Sequence, residues 1–335
     1  MSFNTRRTFI SVASALAMAP LGGALASTGS RPKKPIKAAV IFSVPNPGAS
    51  AGWDAGSYAG VQELIKNHGW EVTVAEAVPF PRLAETAANY ARSGYDVVIF
   101  TSSGHIGAWN DVAPKFPGTT FAMMSVVDKL PAGTNVMAFS LDVYGYGVIG
   151  GMVAALASKT GKIAAVGGAP VPGLVTWMSG IIEGAKAARP GIEVLTAFSG
   201  DWVNVPRARE VTAHQIKRGA DIVVMNAGGG TRGVLDAVEA AGALSVGYAT
   251  DLYSESNKGI LTSVVMNIPT WYVELAQAVA ADKADARMRK FGPATFSVAD
   301  MHGKVSPTVE QRIRETVGRY QRGEMAVPVV SHSVK

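Results

Sequence analysis

Short, continuously apolar runs recur along this chain, and a helical pattern separates almost every one from the next. Ala38 to Phe42 reads as a strand, Tyr58 to Asn67 as a helix that stops near Gly69, and Glu71 to Ala75 as a second strand. An alanine-rich helix follows over Pro81 to Ser93, then a strand over Tyr95 to Phe100. Further strands are expected at 120–126, 136–140, 163–167, 193–198, 222–226, 244–248 and 260–265. Helices are expected at 147–158, 174–188, 205–218, 231–241 and 269–281. A strand that is apolar along its whole length has no solvent face, so these strands belong in parallel sheets covered by helices on both sides.

One stretch of this pattern occurs twice. Gly94, Asp96, Val97 and Val98 lead into a strand that ends in the small polar loop Thr101 to Gly104; Gly219, Asp221, Ile222 and Val223 lead into one that ends in Asn226 to Gly229. Ligands of parallel sheets gather outside the carboxyl ends of the strands. Two such edges facing each other enclose a cleft, and 335 residues are ample for the two domains this requires.

The first 26 residues read as an export signal and are set apart from the fold. Arg6 and Arg7 stand directly before the apolar stretch Phe9 to Ala26, the layout of a twin-arginine signal, and Ala24 and Ala26 supply a small-x-small cleavage site. The mature chain is then expected to start near Ser27, with residues 27–35 as a linker. There is no cysteine, so a disulfide, a metal thiolate and a lipid-anchoring cysteine are all excluded, and the expectation is a free periplasmic protein. Without Arg6 and Arg7 the chain has 29 basic and 25 acidic residues, a net +4 without a basic cluster beyond Arg31 to Lys37, which speaks against a nucleic-acid partner.

Motifs of catalysis are missing. Val166 to Gly173 has neither dinucleotide glycine spacing nor a phosphate-loop lysine, and no nucleophile elbow or zinc helix occurs. Histidines 68, 105, 214, 302 and 332 have no ligand spacing. The expectation is a binding protein with no catalytic residues, no metal and no cofactor, acting as a monomer.

The order of motifs resembles the basic membrane protein family, also called the purine nucleoside receptor family, from about Lys37 to Gln321. Gly52 to Gly60 is similar to the family's first loop, with Trp53 where the family has phenylalanine and Asp54 where it has asparagine; the acid that precedes them falls near Ser50 and is absent. Lys159 to Gly168 matches a shared strand, Ser199 to Trp202 a segment whose aromatic stacks on purine, Ala227 to Val234 a glycine-rich loop, and Gly247 to Asp251 an acidic turn that binds ribose. Leu261 to Asn267 matches a strand that often ends in lysine, where Met266 and Asn267 stand instead.

The resemblance implies an α/β type I periplasmic binding fold, two doubly wound parallel-sheet lobes joined by three crossovers near Ser140, Met266 and Phe296. Lobe 1 is expected to hold 36–140 and a helical 267–295, and lobe 2 to hold 141–266 and 296–330. It also implies the substrate-binding component of an ABC importer, with a permease as partner and a purine nucleoside as ligand. A flat, weakly polar ring calls for aromatic faces and a few polar groups at its edge. Trp53 and Trp202 form the expected sandwich, and Asp251 accepts from ribose hydroxyls. Asp54 either accepts from a base N–H or caps the helix beginning near Ala55. Ser103, His105, Asp142, Tyr144, Gly229 and Asn267 complete the expected set; Trp109, Trp177 and Trp271 are expected to pack. A free purine nucleobase or another flat heterocycle as ligand, and a periplasmic sensor as role, remain open alternatives.

Overall fold

The structure is a computed structural model that describes residues 34–334 apart from 51, 257 and 285. The expected signal segment, and all of the linker but its last two residues, lie outside the described residues.

The first half of the chain builds β1 (Lys37–Ile41), α1 (Trp53–His68), β2 (Glu71–Ala75), α2 (Leu83–Arg92), β3 (Val97–Phe100), α3 (Ile106–Val112), β4 (Thr120–Met124) and β5 (Val136–Leu141). Next come α4 (Val143–Ala157), β6 (Lys162–Gly167), α5 (Pro172–Ala188), β7 (Glu193–Phe198), α6 (Val205–Lys217), β8 (Ile222–Asn226), α7 (Thr231–Ala241), β9 (Leu244–Ala249) and β10 (Ile260–Met266). The chain then runs through α8 (Ile268–Ala280), β11 (Arg287–Phe291), β12 (Phe296–Val298) and α9 (Pro307–Gln321).

These strands form two six-stranded sheets. One has the order β11-β5-β4-β3-β1-β2, the other β12-β10-β9-β8-β6-β7. The chain passes between them three times, at Asp142, at Asn267 and over residues 292–295. All pairings are parallel except β12 with β10. The two-lobed α/β architecture is therefore the one the alternation of apolar runs implies. Val97 to Phe100 and Ile222 to Met225 are buried throughout, the burial that selects continuous apolar strands.

Several elements differ from the sequence reading, each for a local reason. α1 begins at Trp53 rather than Tyr58, because Gly52 adopts φ 62° and turns the chain into the helix early. α4 begins at Val143 rather than Gly147, because Asp142 caps it, its Oδ1 accepting from Gly145 N at 3.0 Å. The seven-residue α3 is too short to leave a periodic signal. The helix expected at 269–281 runs from Ile268 to Ala280, but the rest of the segment expected to be helical to 295 holds the strand β11. Arg287, Arg289 and Lys290 conceal that strand from an apolar count. It is an edge strand, paired to β5 from Arg287↔Met137 to Phe291↔Leu141, and charges suit an edge.

In lobe 2, α4 and α5 meet backbone to backbone. A Cβ on Gly147, Gly151, Gly180 or Gly184 would come within 2.1–2.2 Å of a carbonyl oxygen on the other helix. Only glycine permits that approach. Trp109, Trp177 and Trp271 are fully buried packing residues, as their sequence settings suggest.

Candidate functional site

The carboxyl ends of the parallel strands carry the loops that hold most of the polar and aromatic residues singled out above. On lobe 1, the loop after β1 delivers Trp53 at the start of α1. Its indole Nε1 donates to Thr101 O, just past β3, at 2.7 Å, and its ring meets Trp271 of α8 edge-on, centroids 5.7 Å apart. The half-buried Trp53 is thus fixed at both ends.

Asp54 follows it, also half-buried. Its carboxylate accepts no hydrogen bond among the described residues, and burial pushes its pKa up to about 6. It does not cap α1; Gly52 occupies the cap position and Asp54 sits in the first turn. Two tyrosine hydroxyls lie within electrostatic range, Tyr272 on α8 and Tyr248 on β9 of lobe 2. Tyr272 packs its ring on Gly60, where a Cβ would stand 2.2 Å from Cδ2. That directs its hydroxyl toward Ser57 Oγ, and the two fully buried hydroxyls face each other.

On lobe 2, Trp202 follows β7 and lies over glycines after β6 and β8. Cβ atoms on Gly168 and Gly228 would meet its ring at 2.5 and 3.1 Å. It is 37% exposed, its N–H has no partner among the described residues, and its carbonyl accepts from Gly230 N at 3.1 Å. Gly229 is exposed beside it. Asp251, after β9, is exposed; its Oδ1 accepts from Tyr253 N at 3.1 Å and from Ser263 Oγ at 3.5 Å.

The lobes touch across this edge. A Cβ on Gly52 of lobe 1 would strike the Tyr248 ring of lobe 2 at 2.7 Å, and Gly173 of α5 faces Val126, which follows β4, at 4.0 Å. Tyr248's hydroxyl lies beside Thr231 and the Gly228 backbone, and burial raises its pKa to about 12. A continuous path of contacts therefore runs from Trp53 through Gly52, Tyr248 and Gly228 to Trp202.

Other expected residues stand elsewhere. His105 is in the interior of lobe 1, 0% exposed, its Nε2 2.9 Å from Ser43 Oγ and its ring between Phe80 and Phe100. Burial pushes its pKa down to about 4, so it is neutral. Ser103 is exposed on the loop after β3. Tyr144 faces the C-terminal segment, donating to Pro328 O at 2.6 Å and accepting from Val330 N at 3.1 Å. Asp142 is committed to capping α4 at the first crossover. Asn267 is exposed at the second crossover, on a groove of about 310 Å³ shared with Thr270, Trp271, Arg289 and Phe291. Tyr248, Tyr272, Ser57 and Thr101 were not singled out from sequence. Tyr248 had a signal, since it lies inside the turn ending at Asp251; the others lie on a helix face and a strand end that only the fold brings together. Among the described residues no cluster of ligating side chains is able to hold a metal, and no helix is long and apolar enough to cross a membrane.

Two α/β lobes joined by three crossovers, with aromatic and acidic loops on the facing strand ends, define a solute-binding receptor. The chain belongs to the family of PnrA-like ABC transporter substrate-binding proteins, whose model matches residues 37–295. It is 24% identical to the transcriptional activator protein Med of Bacillus subtilis, over 80% of this chain and 82% of the relative. It is also 24% identical to a purine-binding protein of Brucella abortus, over 79% of this chain and 74% of that one. Among solved structures, an ABC transporter solute-binding protein from Aeropyrum pernix superposes with a TM-score of 0.78 at 16% identity, covering 89% of this chain and 94% of that one.

Proposed function

We propose that the protein is the receptor of an ABC importer that takes a purine nucleoside between its lobes. The observation that carries this reading is the contact path from Trp53 to Trp202. It supplies an aromatic side chain from each lobe at the meeting strand ends, with Asp54 next to Trp53 on lobe 1 and Asp251 on a strand-end loop of lobe 2. The purine-binding relative from Brucella abortus favours the same ligand class. In this reading Trp53 and Trp202 cover the two faces of the base, each stacked face contributing about 1–3 kcal/mol by analogy with base stacking. Gly229 lets the backbone approach, and Asp251 accepts from ribose hydroxyls. His105, Tyr144 and Asp142 are left to packing, tail anchoring and helix capping. The protein is exported by the twin-arginine route, works free in the periplasm as a monomer, catalyses nothing, and delivers its ligand to a permease after hinge closure.

Calorimetry with adenosine, guanosine, inosine and their free bases tests the ligand class, on the wild type and on Asp251→Ala. Loss of Asp251's charge-assisted bonds is expected to weaken nucleosides by about 2 kcal/mol and to leave the bases nearly unchanged. Equal losses for base and nucleoside remove the ribose assignment; wild-type preference for the base makes a nucleobase the ligand. The likeness to a transcriptional activator supports a second reading, a receptor that reports its ligand to a signalling partner. Deleting the gene separates the two: nucleoside uptake falls in the first, and only ligand-dependent expression changes in the second.

A further inference from the structure

Within the inter-lobe edge, the Asp54 carboxylate is left without a hydrogen bond among the described residues. Asp54 is half-buried and stands next to the anchored ring of Trp53. Behind it, Ser57 Oγ and Tyr272 OH are fully buried and face each other. A desolvated carboxylate has up to four acceptor sites and no donor; the protonated acid has one donor and keeps an acceptor. Leaving such a group unpaired in a closed cleft is costly, so the group selects for a ligand that completes it.

We propose that Asp54 decides which edge of a purine the cleft accepts. As a carboxylate it takes two parallel N–H donors, the N1–H and 2-amino edge of a guanine-type base. As a carboxylic acid it donates to N1 and accepts from the 6-amino group of an adenine-type base. No covalent step is involved, and a single proton distinguishes the two modes. This rests on the purine reading above.

The surroundings leave that proton to Asp54. On α8 it faces the Tyr272 hydroxyl and on β9 the Tyr248 hydroxyl, both made weaker acids by burial and therefore uncharged. Glu71 on β2 is exposed, Glu274 on α8 is 3.3 Å from Arg289, and Glu63, Lys66 and His68 are on later turns of α1. Burial is the cause of the shift to about 6, so the group changes state within the range an exported protein meets.

The test is calorimetry with guanosine and adenosine from pH 5 to pH 8, each in two buffers of different ionisation enthalpy. For the wild type, guanosine affinity is expected to fall as pH drops through 6. Adenosine affinity is expected to rise from pH 8 toward 6, with proton uptake on binding. Their ratio is expected to change at least tenfold across the range. Asp54→Asn, whose amide offers one donor and one acceptor at every pH, is expected to favour adenosine and to abolish the change. If both nucleosides follow the same pH course, or the change persists in Asp54→Asn, the inference fails while the purine reading stands. If neither nucleoside nor base binds at any pH, both fail. The wild-type titration and its proton count decide the matter even if the variant does not fold.

Discussion

Trp53 and Trp202 occupy comparable places, each in a loop beyond the carboxyl end of a strand, but they are held in opposite ways. Trp53 is locked by its bond to Thr101 O and its edge-on contact with Trp271. Trp202 rests on a glycine floor, with its N–H unpartnered among the described residues and more than a third of its surface exposed. The contrast teaches that, in the proposed site, the lobes would contribute differently: lobe 1 a pre-formed wall, and lobe 2 a ring held less tightly against it. Pre-formed groups lose little entropy on binding, whereas adjustable ones accommodate different ligands at some cost in affinity.

The largest expected effect comes from breaking the fixed side. Trp53→Ala removes a packed indole and its hydrogen bond, so it is expected to cost about 3 kcal/mol of stability as well as purine affinity. A denaturant titration showing an unchanged midpoint would put Trp53 in the same class as Trp202.

Next in size is the acid beside it. Asp54 holds its proton more tightly in the folded chain, at about 6, than in an unfolded one, near 3.8. The stability this contributes is fully present below the unfolded value and is lost as pH rises through about 6. At pH 7.5 the buried anion therefore destabilises the unliganded protein by about 3 kcal/mol. Asp54→Asn is expected to melt higher than wild type at pH 7.5 and the same as wild type near pH 4. A melting advantage that does not vary with pH would contradict the burial of the charge.

On the adjustable side, Trp202→Ala is expected to weaken purine binding about tenfold, or 1.4 kcal/mol, with little change in the melting of the unliganded protein. A melting drop at unchanged affinity would make it a packing residue and dissolve the contrast. The smallest effect sharpens it: Trp53→Phe keeps an aromatic face but loses the bond to Thr101 O, about 1 kcal/mol of stability, while affinity changes little.

How far the sequence reaches follows the same division. Apolar strands such as Val97 to Phe100 declare themselves because burial on both faces leaves a compositional mark. β11 does not, since an edge strand keeps charges on its open side, and α3 does not, since seven residues are too few for a period. In the candidate site, Trp53, Asp54, Trp202 and Asp251 are visible because they interrupt glycine-rich loops after strands. His105 shows the limit of that signal: it sits in such a loop, yet its side chain turns inward to Ser43. Ser57 and Tyr272 lie 215 positions apart on α1 and α8, and only the packing of those helices makes them neighbours.

The glycine contact between α4 and α5 has a mechanical consequence. With carbonyls of one helix seated against the glycines of the other, there is no layer of side chains between them to flex. α4 starts at the first crossover, and α5 starts at the lip where Gly173 meets Val126 of lobe 1. Any rotation of the lobes at the first crossover, Asp142, would move this pair as one stiff lever and reach the lip without lost motion. A side chain wedged between the helices, even one that spared the fold, would add play to that lever, and the mouth of the cleft would close late or not fully.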